Sequence, residues 1–149
     1  MLNERIKIKA NNSSGFYDLV SGGGIELSYP KSKTKRGRVQ DNGYICPAIT
    51  ILGVIGTMEK QNDEYRIRKL TPRECLRLMG VDDSDIDKME AVNSNNQLYK
   101  QAGNSIAYNV IKEILLELCK QYPDYFNSSL SYLSLFSGVG AFEMALRDI

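Results

Sequence analysis

Near residue 70 the apolar spacing of this chain changes period, and no single type of element can satisfy both halves. Before that point the chain alternates at period two. "RIKIKA" interleaves basic and apolar residues, and "GGGIELSYP", "GRVQ", "YICPAITILGVIG" and "EYRIRKL" come next, parted by Gly, Asn, Asp and Lys clusters. Side chains two apart share one face of a strand, so this half predicts short half-buried strands. The glycine run at 21–24 and the turn Asp41-Asn42-Gly43 are its clearest breaks. Pro47 places "YICPAIT" at a sheet edge or starts a new strand after it.

Beyond residue 70 the spacing becomes helical. Thr71-Pro72-Arg73-Glu74 has the form of a capping box with proline at the first helical position. Cys75, Leu78 and Met79 supply an apolar stripe, and Gly80 a stop. A second helix is expected over 85–92. A third is predicted from Ile106, Val110, Ile114, Leu115 and Leu118, capped by Asn104 or Ser105 and ended by Pro123. "QYPDYFNSS" reads as a linker. "LSYLSLF" has the pattern of a short buried strand, "SGVG" of a turn, and "AFEMALRDI" of a helix. Strand, glycine turn and helix are the opening of a βαβ unit, so the expected class is α/β.

Several chemistries are excluded early. The chain has no histidine, which removes histidine acid–base catalysis and histidine-ligated metals. Cysteines at 46, 75 and 119 are too few and scattered for a disulfide framework or a zinc site, so no metal is expected and a reducing, cytoplasmic compartment fits. The apolar run from 111 to 118 is broken by Lys112, Glu113 and Glu117, so no membrane span is expected, and the polar amino terminus does not read as a leader. Net charge is +1 over 149 residues, but its distribution is uneven. Five of the eight residues in "KSKTKRGR" (31–38) are basic, and acidic residues gather between Asp82 and Glu90. Two solvated faces would explain this; a basic turn segment is also what a phosphate backbone needs.

Two motifs carry chemistry. Ser137-Gly138-Val139-Gly140 after a strand allows close backbone approach to a nucleotide-like ligand, and the adjoining helix would offer free N–H groups to an anion. A plain βα turn without a ligand fits equally well. The string Gln97, Lys100, Gln101, Asn104 and Ser105 crowds polar groups at the entrance of an apolar helix, more than a capped, hydrated loop requires.

Taken together, "RKLTPRECLRLMG" (68–80) and "QLYKQAGNSIAYNVIKEI" (97–114) resemble the ninth and tenth motifs of DNA cytosine-5 methyltransferases, in order and spacing. "LSLFSGVGAFEMAL" (133–146) resembles that family's first motif, and "KSKTKRGRVQDNGYICPAITI" (31–51) the end of its target-recognition domain. The resemblance implies a small β-rich recognition part joined to an incomplete, Rossmann-like S-adenosylmethionine-dependent part. It implies that Phe136, Ser137, Gly138 and Gly140 line the S-adenosylmethionine pocket, with Asn104 and Ser105 approaching from the tenth-motif side. Lys33, Lys35, Arg36, Arg38 and Gln40 would belong to a loop facing double-stranded DNA, with Thr50 its neighbour. Arg68, Arg73 and Arg77 would be structural or phosphate-contacting. The implied parts are 1–67 (recognition), 68–121 (ninth and tenth motifs), 122–130 (linker) and 131–149 (first-motif strand, turn and helix).

The departures are as informative. The family's nucleophile is the cysteine of a Pro-Cys dipeptide, and this chain has only the reverse pair, Cys46-Pro47. Cys75 and Cys119 sit in helix patterns, so all three cysteines read as structural and no catalytic residue is assigned. The family's Glu-Asn-Val and Gln-x-Arg-x-Arg segments are also missing. Without a thiolate nucleophile, covalent catalysis has no starting point. The first motif stands after the tenth rather than at the head. That order fits a circularly permuted enzyme, one subunit of a split enzyme whose catalytic motifs lie on a second polypeptide or missing segment, or a gene spanning tandem copies. A non-catalytic DNA-binding module and a degenerate relic are the alternatives. A lone first-motif strand has unpaired edges, so the last twenty residues are expected to be poorly supported without a partner.

Overall fold

The computed structural model describes residues 4–10, 12–28, 39–50, 54–127, 131–135 and 137–149. They divide into two compact units, Met1–Thr71 and Pro72–Ile149.

The first unit is the strand-patterned half. β1 (Arg5–Lys9) and β2 (Phe16–Val20) form an antiparallel hairpin in the register Arg5 opposite Val20 and Lys9 opposite Phe16. β3 (Gly24–Glu26), β4 (Ile55–Gln61) and β5 (Glu64–Lys69) form a second antiparallel sheet in that order. A two-residue turn joins β4 to β5. Asn62 and Asp63 both adopt positive φ there (50° and 64°), the backbone twist that a tight hairpin favours. Leu19, Ile25, Val39 and Met58 close the core, and Ile6, Ile8, Tyr17, Leu27, Tyr65 and Ile67 pack around them.

Two strand expectations are corrected by this arrangement, and one strand is unexpected. "GRVQ" contributes no strand among the described residues: Val39 enters the core alone, and Gln40 makes one isolated bridge to Ile45. "YICPAIT" is irregular apart from that bridge, and the strand begins only at Ile55. β2, whose "FYDLV" alternates poorly, has no counterpart among the expected strands, although it buries Leu19 completely.

The second unit holds α1 (Pro72–Leu78), α2 (Asp83–Val92), α3 (Asn95–Asn104), α4 (Tyr108–Gln121), α5 (Pro123–Phe126) and α6 (Ala141–Arg147). α1 packs on α3 and α2, and α4 on α5 and α6. Helix α1 ends at Gly80 as expected: φ is +85°, and the next amide, Val81, donates back to the Leu76 carbonyl at 3.1 Å. Its buried residues include Cys75 and Leu76, whereas Leu78 is exposed.

The third predicted helix is α4, and an unexpected helix, α3, precedes it. α3 runs through the polar string, capped by the Ser94 hydroxyl, which accepts from the Gln97 amide at 3.4 Å. Asn104 is therefore a helix end and Ser105 its C-cap, and neither caps α4, which starts at Tyr108 after Ala107. α4 turns Tyr108 and Ile111 inward, with Leu115 half-buried, and leaves Val110, Ile114 and Leu118 exposed. The predicted apolar stripe is thus the outer face, because the packing against α6 is made by the neighbouring stripe.

The linker contains the single turn α5. The expected strand in "LSYLSLF" is absent among its described residues, where Leu133 and Leu135 are 80% and 71% exposed. A strand needs hydrogen-bonding neighbours, and none among the described residues supplies them. The helix after it is better supported than expected. Ala141, Met144 and Ala145 are buried, the Tyr108 hydroxyl donates to the Asp148 carboxylate, and Arg147 reaches Asp85 on α2 at 3.0 Å.

Candidate functional site

Within the second unit, the C-terminal half of α3 and the segment leading into α6 enclose an open cleft of about 640 Å³. One wall is polar: Gln97, Lys100, Gln101 and Asn104 recur at helical spacing on α3, and Ser105 continues them. The opposite wall is largely apolar, with Leu133, Leu135 and Phe142 beside Ser137 and Gly138. Four of the six residues assigned to a cofactor site, Asn104, Ser105, Ser137 and Gly138, therefore share one cleft. Gly140 does not line it; it caps α6 at φ +78°, and its amide donates to the Ser137 carbonyl at 2.8 Å. Phe136 lies outside the described residues.

The sequence already marks Gln97, Lys100 and Gln101 as surplus polarity, and the cleft accounts for them. Leu133, Leu135, Tyr132 and Phe142 are lining residues that sequence reasoning missed. Read as a buried strand, the two leucines give no sign of a cleft wall.

Glu143 lies half-buried in the first turn of α6. The Ser134 hydroxyl above all, and then the residue's own amide and the Ser137 hydroxyl, hold its carboxyl below the usual range against the effect of burial. Its Oε2 is out of solvent and without a hydrogen-bond partner among the described residues. On the other wall, Gln101 directs its amide nitrogen toward the Asn93 carboxamide oxygen at 3.5 Å. Its own Oε1 is out of solvent and unpartnered among the described residues. An orphan acceptor of this kind calls for a donor.

None of the cysteines has the setting of a nucleophile. Burial pushes the Cys46 thiol up, disfavouring thiolate, and its Sγ contacts the Pro47 carbonyl at 3.4 Å. Cys75 is buried and Cys119 half-buried, and none of the three is in a disulfide. Among the described residues no cluster of three or more metal-ligating side chains occurs, and no helix is long and apolar enough to cross a membrane.

In the first unit, the turn Asp41-Asn42-Gly43 is seated on the end of β2. Gly43 has φ +94°, and a Cβ there would lie 2.7 Å from Leu19 Cδ1 and 2.9 Å from Gly23 Cα, so only glycine fits. This anchors an exposed run that includes Gln40, Tyr44 and Ile45; Thr50 further on is exposed as well. Lys33, Lys35, Arg36 and Arg38 lie outside the described residues.

The motif arginines are engaged by carboxylates. Arg73 bonds Asp83, Asp87 and Glu90, Arg77 forks onto Asp83 at 2.8 and 2.9 Å, and Arg68 bonds Glu59 at 2.6 Å. Of the two roles expected for them, the structural one matches this geometry. The acidic run from 82 to 90 is the counterpart of Arg73 and Arg77.

Comparison with known proteins bears on most of the chain. Residues 3–120 match the family described as C-5 cytosine-specific DNA methylase. The matched span ends before the 133–146 segment that borders the cleft. "Orphan methyltransferase M.SPRI" of Bacillus phage SPR is 42% identical over 86 residues, 57% of this chain and 20% of the relative. "Orphan methyltransferase M.Rho11sI" of Bacillus phage rho11s is 38% identical over 115 residues, 68% and 23% respectively. "DNA-cytosine methyltransferase" of Escherichia coli (strain K12) is 42% identical over 103 residues, 63% and 22%. The chain therefore spans about a fifth of the length of the curated relatives it matches. No solved structure matches it. With the matched span covering most of its residues, the chain belongs to the C-5 cytosine-specific DNA methylase family.

Proposed function

We propose that this chain is the S-adenosylmethionine- and DNA-binding part of a cytoplasmic DNA cytosine-5 methyltransferase, in circularly permuted order, and that it transfers no methyl group alone. The observation that carries this reading is the single cleft bordered by Asn104 and Ser105 on one side and Ser137 and Gly138 on the other. These residues come from blocks that the family's usual order puts at opposite ends of the chain. A linker of roughly 9 residues, reaching about 30 Å when extended, is ample to join them.

The cleft suits S-adenosylmethionine in size and in chemistry. Its volume falls in the range of small-molecule pockets. Leu133, Leu135 and Phe142 suit a purine face, while Lys100, Asn104, Ser105 and the orphan acceptor of Gln101 suit a charged amino-acid end that both donates and accepts. When bound, the cofactor supplies an electrophilic methyl group on a sulfonium. The residues named above would bind and orient it.

The nucleophile comes from elsewhere, since this chain has no Pro-Cys dipeptide. A second polypeptide, or a segment outside this sequence, brings the catalytic motifs. The exposed face of α4, Val110, Ile114 and Leu118, is where its apolar surface docks. The first unit, which closes its own core, presents the DNA-facing loop.

Titration calorimetry of the chain with S-adenosylmethionine tests the cleft. Binding is expected, and Asn104→Ala and Gly138→Val should each weaken it about tenfold, the loss of one good contact. Binding that ignores both variants would place the cofactor elsewhere. Duplex DNA with labelled cofactor should show no incorporation until a polypeptide bearing Pro-Cys is added. Methylation by the chain alone would sink the assignment of the nucleophile to a partner.

A further inference from the structure

We propose that the outward face of β1, carrying Arg5, Lys7 and Lys9, is a second phosphate-gripping surface for duplex DNA, separate from the 31–38 loop. The inference rests on the DNA-binding reading above and adds a site to it. Strand register decides which way these side chains point. Ile6 and Ile8 pack against the core, so Arg5, Lys7 and Lys9 project from the opposite face, and all three are exposed. Successive cations on one face of a strand stand about 6.7 Å apart. Phosphates of one DNA strand rise about 3.4 Å each along the axis but wind around it, so neighbours lie roughly 7 Å apart in space and the row matches consecutive phosphates.

These cations also lack ion pairs among the described residues, which sets them apart from most arginines described above. Arg66, Arg68, Arg73, Arg77 and Arg147 are held by carboxylates. No ion pair to Arg5, Lys7 or Lys9 occurs among the described residues. Asp18 stands opposite Lys7 in the register, yet the Lys7 ammonium sits over the Phe16 ring, 4.1 Å from its centroid. Glu4, the nearest acid in sequence, is taken by Lys60 at 3.3 Å. A solvated face of mixed sign would not leave a row of like charges unpaired between two acids.

The test is fluorescence anisotropy of the full chain with duplexes of several sequences, titrated with salt. Replacing Arg5, Lys7 and Lys9 together with Gln should weaken binding about tenfold or more for every sequence. The slope of log affinity against log salt should flatten by roughly 2 to 3. Asp18→Lys, a single change at a half-buried position, should steepen the slope by about 1, and it keeps the proposal testable if the triple variant folds poorly. Wild-type binding with a slope that neither variant moves overturns the β1 surface and leaves the DNA-binding reading intact. No duplex binding by the wild-type chain overturns both. Retention on phosphatidylserine vesicles without retention on DNA also overturns the proposal in favour of a lipid surface.

Discussion

The two units of this chain differ in how completely they bury their own apolar residues. The sheet unit closes on Leu19, Ile25, Val39 and Met58, and only Tyr44 and Ile45 among its described large apolar side chains are well exposed. The helical unit also has fully buried residues, Leu76, Ile86 and Leu98 among them. Yet thirteen of the fifteen exposed large hydrophobics in the described residues belong to it. A two-sheet core is satisfied by alternation within short segments, whereas α4 has apolar residues on two stripes and only one of them finds a neighbour. Among the described residues, one half buries its apolar side chains and the other leaves many exposed.

Core deletion should separate the units most sharply. Met58→Ala in the sheet unit and Leu98→Ala in the helical unit should each cost about 2–5 kcal/mol in urea denaturation. Loss of amide protection is expected in β3–β5 for the first and in α1–α3 for the second. If either variant erased protection throughout the chain in one step, the comparison would break down. Next in size is Gly80→Ala, where positive φ costs about 1–2 kcal/mol and the new Cβ would meet Tyr108 Cβ and the Asn109 carboxamide at 3.3 Å. That loss should appear in the helical unit only.

Acid should sharpen the contrast further. Asp83 is held below the usual carboxylate range by Arg77 first, Asp85 by Lys88 first, and Asp148 by the Tyr108 hydroxyl first. The sheet unit has one such group among its described residues, Glu59, held by Arg68 first. A carboxylate whose folded pKa is depressed stabilises fully above its unfolded value of about 4 and stops doing so as pH falls through the folded value. Helix signal at 222 nm should therefore fade below about pH 4 before β4–β5 amides lose protection. The reverse order would show that the ion-pair clamp on α1 and α2 contributes nothing. Smallest of all, Ile114→Ala should change stability by less than about 0.5 kcal/mol, since its site is open to water. The same variant should weaken association with the complementing polypeptide, and a large loss of stability would mean that the α4 face is already covered.

Much of this is legible in the residues. The switch of period near 70, the Gly80 stop, the Asp41-Asn42-Gly43 turn and the shared polarity of Gln97 through Ser105 all depend on local chemistry, and local chemistry is what a sequence displays. The helix α3 is also readable, since Ser94 and Gln97 have capping spacing, but its polar composition conceals it. The strand expected in "LSYLSLF" is not formed over 131–135, for a different reason. An apolar alternation states a preference for burial, and a strand exists only where a neighbour offers hydrogen bonds. Likewise Ile106, Val110, Ile114 and Leu118 are spaced correctly for a helix, but spacing does not say which stripe meets α6.

The sequence by itself determined the family blocks, the absence of a Pro-Cys nucleophile within this chain and the change from strand to helix, because each is written in contiguous residues. Tertiary structure alone decided that Asn104 and Gly138 border one cleft. It also decided that Arg73 and Arg77 are committed to Asp83, Asp87 and Glu90, and that α4 keeps an apolar face uncovered. Those outcomes turn on which surfaces meet across tens of residues, and contact of that kind is a property of packing rather than of order along the chain.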